Sequence, residues 1–565
     1  MLAASSGRVQ AVLATPGSFM AADDILVILE PADVDVQAHG PNAEQDLNLI
    51  RADLRAVQER HAFLWDDNRS AAVTKRHQQG GRTARENIGQ LCDEGSFIEY
   101  GALAIAAQTR RRSLDDLIAN TPADGMVTGI GTVNATAHGP EKSRCVVMAY
   151  DYTVLAGTQG AGNHQKTDRM LSLAHKLKLP VVLFAEGGGG RPGDVDRPVV
   201  AGLNNHTFSQ FAALSGRVPV IGVVHGRCFA GNAALLGCAD VIIATEASNI
   251  GMGGPAMIEG GGLGRFAPED IGPSDVQSRN GVIDILVRDE IAAVDTARQY
   301  LSYFQGRKTH WTCDDQRKLR FSVPENRLRV YDVRSVMHTL CDTGTLLELR
   351  ADFGVGILTA LARIEGRAVG IMANNPLHLG GAIDADAADK ASRFMQLCNA
   401  HGLPIVSLTD TPGFMVGPEI EAKAQVRHTS RMFVVAAKLQ VPFFAVVLRK
   451  GYGLGAQAMT AGGFDAPVFN VSWPTGEFGP MGLEGSVRLG FSKELQAQPE
   501  GPEREALFAQ LVAERYAVGK ALNMAQTLEI DAVIDPCETR PWLVRGLDAS
   551  TQLQGSRGQG FVDAW

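Results

Sequence analysis

An internal repeat constrains this chain more than any other feature of its sequence. Residues 145–190 and 369–414 follow one pattern at an offset of 224 positions. The matched positions share a residue type or its chemistry, and they include Gly157 and Gly381, Lys166 and Lys390, Arg169 and Arg393, Leu179-Pro180 and Leu403-Pro404, Glu186 and Asp410, and Gly189 and Gly413. Agreement at so many positions in the same order predicts two copies of one domain.

Each copy has the sequence pattern of an α/β domain. Each copy has two short apolar runs with a proline at the second position, and their nearly continuous apolar character is typical of buried parallel strands: residues 179–186 and 218–226 in the first copy, and 403–410 and 441–450 in the second. A stretch with apolar residues three or four positions apart precedes the first run of each copy, which predicts a helix. Helices alternating with strands in this order predict parallel sheets with crossover helices.

The sequence divides into a short first segment and two large domains. The domains are predicted over residues 41–310 and 320–550, with the polar stretch 305–330 as the linker between them. The first thirty or so residues alternate in polarity around Pro16-Gly17, which predicts a small β-hairpin. Residues 51–62 are predicted to form an amphipathic helix. A chain of 565 residues is too long for one core, which agrees with this division.

Composition argues against several classes of protein. A formal net charge of −9 and a pI near 5.8 give no basic surface for nucleic acid or an anionic membrane. No apolar run reaches the roughly 18 residues that a spanning helix needs, and the first residues make a poor signal peptide, so we expect a cytoplasmic protein without a membrane partner. None of the eight cysteines forms a CxxC pair and the histidines lack metal-ligand spacing, so no metal is expected.

Glycine-rich turns follow the predicted strands at their carboxyl ends, where open α/β sheets bind ligands. Glycine leaves backbone N–H groups open to a bound oxygen, and two such groups aimed at one point stabilise an oxyanion or enolate. The alternative is that these glycines only make tight turns and close helix packing. Four turns at matched positions of a repeat favour the oxyanion interpretation: residues 186–191 and 228–232, and residues 410–414 and 451–455. The chain has no Walker, GxSxG or HExxH motif.

Six longer motifs are highly specific in combination: GRTARENIGQLCDEGSFIEYG (81–101), YDVRSVMHTLCDTG (331–344), GRAVGIMANNPLHLGGAIDADAADKASRFMQLC (366–398), LTDTPGFMVG (408–417), LRKGYGLGAQAM (448–459) and WPTGEFGPMG (473–482). Over roughly residues 60–545 the chain resembles the carboxyltransferase subunits of propionyl-CoA and methylcrotonyl-CoA carboxylases. It is most similar to the transferase region of single-chain acyl-CoA carboxylases.

This resemblance implies a fold, a reaction and partners. The fold would be two tandem crotonase-like domains, and residues 1–37 look like one half of a biotinyl carrier domain without its biotin lysine. The reaction would move CO2 from carboxybiotin to the α- or γ-carbon of an acyl-CoA. Biotin would be supplied by a separate carrier domain or subunit, with a biotin carboxylase as a further partner. The family pairs the first half of one subunit with the second half of another, which implies a homo-oligomer, usually a hexamer.

The resemblance also implies roles for residues in the four turns. The N–H groups expected to bind the thioester oxygen are those of Gly188 and Gly189, helped by the turn at Ala230 and Gly231. The N–H groups expected to bind the biotin oxygen are those of Gly413 and Phe414, helped by Gly453 and Leu454. Arg191 is a further expected contact of the substrate.

Two of the turns depart from the family pattern, and several functions stay open. The family usually has Asp-Ser-Gly-Gly-Ala-Arg at residues 186–191 and often Tyr-Gly-Gly-Ala where this chain has residues 452–456, so acyl chain length and branching stay open. The same reaction could run as a biotin-dependent acyl-CoA decarboxylase. A crotonase-type acyl-CoA hydratase or hydrolase and a non-catalytic scaffold also stay open, as does the identity of the biotin-carrying partner.

Overall fold

The computed structural model describes residues 7–15, 19–32, 46–196, 201–551 and 560–565, which fall into two compact units divided after Glu59. The first unit holds the antiparallel strands β1 (Gly7–Val12) and β2 (Val27–Pro31), and helix α1 (Ala52–Ala62) begins in it. Val12 pairs with Val27, so residues 13–26 connect the strands. The predicted strand pair is confirmed, and a helix forms over the predicted residues, although none of its residues is buried. The turn predicted at Pro16-Gly17 lies outside the described residues.

The second unit contains two large sheets, and the first is built from residues 98–287. In chain order the strands of this region are β3 (Ile98–Glu99), β4 (Met126–Thr132), β5 (Arg144–Tyr150), β6 (Val181–Phe184), β7 (Val220–Val224), β8 (Arg227–Phe229), β9 (Val241–Thr245), β10 (Asn249–Gly251) and β11 (Ile285–Val287). The first sheet has the order β11-β9-β7-β6-β5-β4-β3, and β8 and β10 form a separate parallel pair. Strands β3, β4 and β5 are antiparallel neighbours, whereas β5, β6, β7, β9 and β11 run parallel.

The second sheet is built from residues 347–533. Its strands are β12 (Leu347–Leu349), β13 (Ile357–Ile364), β14 (Arg367–Asn374), β15 (Ile405–Thr411), β16 (Phe443–Tyr452), β17 (Phe469–Ser472), β18 (Glu477–Gly479) and β19 (Ala532–Val533). The order is β12-β13-β14-β15-β16-β17-β19, and β18 pairs with the end of β16. The first two pairings are antiparallel and the others are parallel.

Helices connect the strands of both sheets. Those of the first sheet are α2 (Ser70–Gln78), α3 (Ala84–Leu91), α4 (Leu114–Asn120), α5 (Ala135–His138), α6 (Ala161–Leu177), α7 (Thr207–Ala212), α8 (Gly231–Leu236), α9 (Pro255–Gly260), α10 (Ser274–Arg279) and α11 (Glu290–Ser302). Those of the second are α12 (Val333–Leu340), α13 (Ala385–His401), α14 (Pro418–Glu421), α15 (Gln425–Ala436), α16 (Gly453–Met459), α17 (Leu483–Gly490), α18 (Ser492–Ala497), α19 (Pro502–Val518), α20 (Ala521–Gln526) and α21 (Thr539–Ala549). The predicted α/β class is confirmed.

The sequence repeat corresponds to a repeated sheet topology. Val146 pairs with Val181 in the first sheet, and Gly370 pairs with Ile405 in the second, each residue 224 positions after its counterpart. The crossover helices α6 and α13 keep the same offset at both ends. The two sheets therefore share strand order, strand direction and register.

One apolar cluster joins the two sheets. It includes Ile243 and Leu301 from the first sheet's region, and Phe394, Ile405 and Phe443 from the second's. Because burial of apolar surface is the main favourable contribution to folding, this shared cluster holds both sheets in one compact unit. The boundaries predicted at 41–310 and 320–550 stay a prediction.

A buried lysine occupies the same place in each copy. Lys166 Nζ donates to the carbonyl oxygen of Ala123 at 2.9 Å, and Lys390 Nζ donates to those of Arg350 and Phe353 at 2.7 and 3.0 Å. Burial lowers the pKa of Lys166 to about 8 and the pKa of Lys390 to about 7, since low-dielectric surroundings disfavour the charged amine.

We expect the stability of the fold to depend on pH through Lys390. An unfolded lysine titrates near about pH 10.4, so between about pH 7 and this value the unfolded chain binds a proton that the folded chain does not. The free energy of unfolding should rise with pH in this window, by up to about 1.4 kcal/mol per pH unit from this group. In urea unfolding, Lys390→Met should lose that slope, whereas Lys438→Met, at an exposed lysine, should keep it. Equal slopes in Lys390→Met and wild type would contradict the lowered pKa.

Candidate active site

The four glycine-rich turns lie in two pairs at the carboxyl ends of parallel strands. The first pair follows β6 and β7, and a parallel bridge joins Gly187 to Cys228. The second pair follows β15 and β16, where Thr411 pairs with Gly451. The two pairs thus repeat each other, and the structure brings the predicted residues of each copy together.

In the first pair, the two backbones also lie close together at Gly189. Its φ is +83°, and a Cβ there would lie 2.7 Å from the Cβ of Ala230, so only glycine fits without strain. The buried Asn232 ties the loops together, because its Oδ1 accepts from Gly189 N at 3.1 Å and its Nδ2 donates to the carbonyls of Gly157 and Glu186 at 3.1 and 2.9 Å. Asn232 lies within the predicted turn at 228–232, but sequence reasoning gave it no role.

In the second pair, Gly455 makes the corresponding close approach. A Cβ on Gly455 would lie 2.7 Å from the Cα of Gly413 and 3.1 Å from the nitrogen of Phe414. Gly413 has a φ of +123°, and a Cβ on Gly453 would lie 2.8 Å from the carbonyl oxygen of Pro480. Both turns therefore depend on glycine for their geometry. No pattern in the sequence indicates that Gly455 sets the distance between them.

Three of the predicted amides have partners within the protein. Gly189 N donates to Asn232 at 3.1 Å, Ala230 N donates to the carbonyl of Gly251 at 3.1 Å, and Gly413 N donates to Thr411 Oγ1 at 3.1 Å. An N–H group that already donates within the protein is a weaker candidate for a bound oxygen, and the roles predicted for these three amides stay predictions. Within the described part of the chain, five predicted amides have no hydrogen-bond acceptor, namely those of Gly188, Gly231, Phe414, Gly453 and Leu454.

A buried carboxylate braces each pair of turns. Glu186 accepts hydrogen bonds from Arg76 at 2.8 and 2.9 Å. Asp410 accepts from Arg449 Nε at 3.1 Å and from the hydroxyl of Tyr331 at 2.9 Å. Burial raises the pKa of Tyr331, and the adjacent Asp410 charge raises it further. Because cations and hydrogen-bond donors hold both carboxylates, their geometry favours a positioning role over proton transfer.

Arg191 is held by protein groups and is almost inaccessible. Its side chain is 4% exposed, and its Nη1 donates to Asp124 Oδ1 at 2.5 Å. Its Nε and Nη2 donate to the hydroxyl and the carbonyl of Thr158 at 3.2 and 2.8 Å. Burial raises the pKa of Asp124, and the Arg191 charge opposes that shift. This geometry favours a role in holding the loops at 124, 158 and 191 together over the predicted substrate contact.

A cavity of about 950 Å³ adjoins the second pair of turns. Gly453 lines it together with Gln457, Phe478, Pro480 and Asn523. This volume falls within the range of small-molecule sites. An organic ligand could therefore lie beside the amides at the start of α16.

Neither a metal-binding cluster nor a spanning helix occurs in the part of the chain that the structure describes. No group of three or more His, Cys, Asp or Glu side chains there is arranged to hold a metal ion. Among the helices of the described residues, none has the length and apolar character required to cross a membrane.

Comparison with known proteins supports the resemblance. The chain is 31% identical to a propionyl-CoA carboxylase beta chain from Saccharopolyspora erythraea over 90% of this chain and 94% of that protein. A solved single-chain, multi-domain long-chain acyl-CoA carboxylase superposes with a TM-score of 0.84 at 57% sequence identity. The match covers 95% of this chain but only about half (51%) of the solved chain. A solved transcarboxylase 12S hexamer with methylmalonyl-CoA bound has a TM-score of 0.77 at 29% identity, over 89% of this chain and 96% of that one.

The family match extends over most of the sequence. The carboxyl transferase domain matches residues 75–557. This range contains both sheets, all four glycine-rich turns and the buried carboxylates that brace them. The predicted resemblance is confirmed: the chain belongs to the carboxyl transferase domain family.

Proposed function

We propose that this chain transfers a carboxyl group from carboxybiotin to an acyl-CoA. The observation that carries the proposal is the matched pair of turns, each with backbone N–H groups that lack a protein acceptor among the described residues. Two anions must be stabilised in such a transfer, one on the thioester and one on the biotin, and the repeat supplies one candidate pocket for each. A hydratase or hydrolase needs only one such pocket.

The free amides suggest how the two oxygens are held. The N–H groups of Gly188 and Gly231 would donate to the thioester oxygen, while Gly189 closes the turn. The N–H groups of Phe414, Gly453 and Leu454 would donate to the ureido oxygen of biotin, while Gly413 shapes the turn. The cavity of about 950 Å³ beside Gly453 is large enough to hold biotin. When bound, carboxybiotin supplies the CO2 and the base for the α-proton.

The finer architecture belongs to the same proposal. The repeated topology supports two tandem crotonase-like domains, and the strands β1 and β2 agree with a partial biotinyl-like segment in residues 1–37. The solved single-chain carboxylase is about twice as long as this chain, which supports a biotin carboxylase and carrier as partners. The solved 12S transcarboxylase is a hexamer, and we propose the same assembly here, in the cytoplasm.

A transfer assay with several acyl-CoA substrates tests this function. Acetyl-, propionyl-, methylcrotonyl- and long-chain acyl-CoA should be offered together with a carboxybiotinylated carrier. We expect at least one of these acyl-CoA substrates to be carboxylated, and the preferred substrate identifies the acyl specificity. Hydration or hydrolysis of acyl-CoA without biotin would overturn the proposal, and so would the absence of any carboxyl exchange with malonyl-type CoA esters. Transfer only from acyl-CoA to biotin would indicate the decarboxylase direction.

A further inference from the structure

The amino ends of the first sheet's parallel strands hold a cleft that the proposed function does not use. The cleft has a volume of about 800 Å³. Four cationic side chains line it and define the basic cleft, namely Lys142, Arg144, Lys178 and Arg217, and His175 and His401 line it as well. The four cations precede or begin β5, β6 and β7, whereas the candidate turns follow β6 and β7. At about 3.3 Å per residue, the strands place the two regions roughly 15 Å apart.

The cations of the basic cleft are not neutralised by the protein. Within the described residues, none of these four cations forms an ion pair with a carboxylate, and Glu141 is the acidic residue that lines the cleft. Arg217 Nη1 instead donates to His175 Nε2 at 3.2 Å, which leaves the Arg217 charge without an acidic partner. Clustered cations without counter-charges create a positive potential that attracts anions.

One of these cations, Lys142, also acts on a histidine outside the cleft lining. The pKa of His138 is lowered to about 4, chiefly by burial and further by the charges of Arg363, Lys308 and Lys142. Apolar groups line the inner part of the cleft, among them Leu179 and Phe304. The cleft therefore combines cations at its rim with an apolar surface inside.

The second copy provides an internal comparison, because it has the same fold without these charges. At the positions that the repeat matches to Arg144, His175, Lys178 and Arg217, it has Ala368, Asn399, Gly402 and Gln440. The fold thus does not require cations at this edge of the sheet. A role specific to the first copy explains them better than a shared structural role.

Lys178 provides a further difference between the two copies. It ends α6 in the left-handed conformation with φ +54°, and its counterpart Gly402 ends α13 with φ +72°. Glycine is the favoured residue at such a helix end, because a side chain there is strained. The first copy therefore keeps a lysine at a position where the backbone favours glycine.

We propose that the basic cleft binds a small organic molecule that carries a diphosphate. Several cations that converge on a pocket of about 800 Å³ suit two adjacent phosphates. The apolar inner surface suits the non-ionic body of the same ligand. This site is separate from the acyl-CoA and biotin pockets proposed above.

Calorimetric titration with ADP and with inorganic pyrophosphate tests the proposal. We expect saturable binding of one ADP per chain that weakens as salt is raised. Lys178→Gly and Arg217→Gln should each weaken ADP binding about tenfold. Lys178→Gly should leave thermal stability unchanged or raised, because it installs the residue of the second copy. Lys438→Gln, at an exposed cation just before β16, should bind ADP as wild type does.

Three results would overturn the basic cleft as a separate diphosphate site. The first is no saturable binding of either probe, and the second is unchanged affinity in both Lys178→Gly and Arg217→Gln. The third is competition of ADP with acyl-CoA together with a raised KM for acyl-CoA in Lys178→Gly, since the cleft would then belong to the substrate site. CoA also contains a nucleotide with a diphosphate. A titration with CoA, compared with that of ADP, therefore distinguishes a free nucleotide from CoA as the source of the diphosphate. Failure of carboxyl transfer itself would leave these binding results unaffected.

Discussion

Gly413→Val is expected to lower the rate of carboxyl transfer about 100- to 1000-fold, the usual effect of losing one oxyanion donor. Gly413 has a φ of +123°, a conformation that a β-branched residue cannot adopt without strain. The turn must therefore rearrange, and the amide of Phe414 that follows it must move. The measurement is the rate of transfer from a carboxybiotinylated carrier to the preferred acyl-CoA.

The control for this variant is Gly490→Val in the same half of the chain. Gly490 is the last residue of α17, and a Cβ there would meet no atom within 4 Å. We expect this control to transfer at the wild-type rate, and both variants to show cooperative thermal unfolding. A folded Gly413→Val that transfers at full rate would remove the second pair of turns from the candidate site.

The sequence predicts the repeated fold well because the pattern of buried strands is local. The apolar runs at 181–184 and 405–411 follow a proline, lie between glycine-rich turns and a helix, and become β6 and β15. The offset of 224 then relates the pairing of β5 with β6 to that of β14 with β15 in the same register. Neither conclusion depends on side chains that are distant in the chain.

The occupied amides could not be predicted in the same way. Whether Gly189 N is free depends on Asn232, 43 positions later, which comes to it only when the two turns meet. The partner of Arg191 is Asp124, 67 positions earlier. The sequence contains these residues, but their pairing is a property of the packed loops. Motif reasoning thus locates the turns and leaves open which of their N–H groups face a ligand.

Two inactive variants are expected to restore activity to each other in mixed oligomers. Gly189→Val should disable the first pair of turns, because its φ is +83° and its Cβ would lie 2.7 Å from the Cβ of Ala230. Gly413→Val should disable the second pair. If each active site takes its first half from one subunit and its second half from another, random mixing leaves about a quarter of the sites with two intact halves. Co-expressed variants should then reach about a quarter of the wild-type transfer rate.

A mixture of wild type with the Gly189→Val/Gly413→Val double variant separates the two possible arrangements. Sites shared between subunits would again keep about a quarter of the activity, because both halves must come from wild-type chains. Sites contained within one subunit would keep about half in this mixture and would show no recovery between the two single variants. The repeat places one pocket with free amides in each half of the chain. A chain that is damaged in one pocket can therefore still contribute its intact pocket to an active site, but only if that site is shared with a neighbouring subunit.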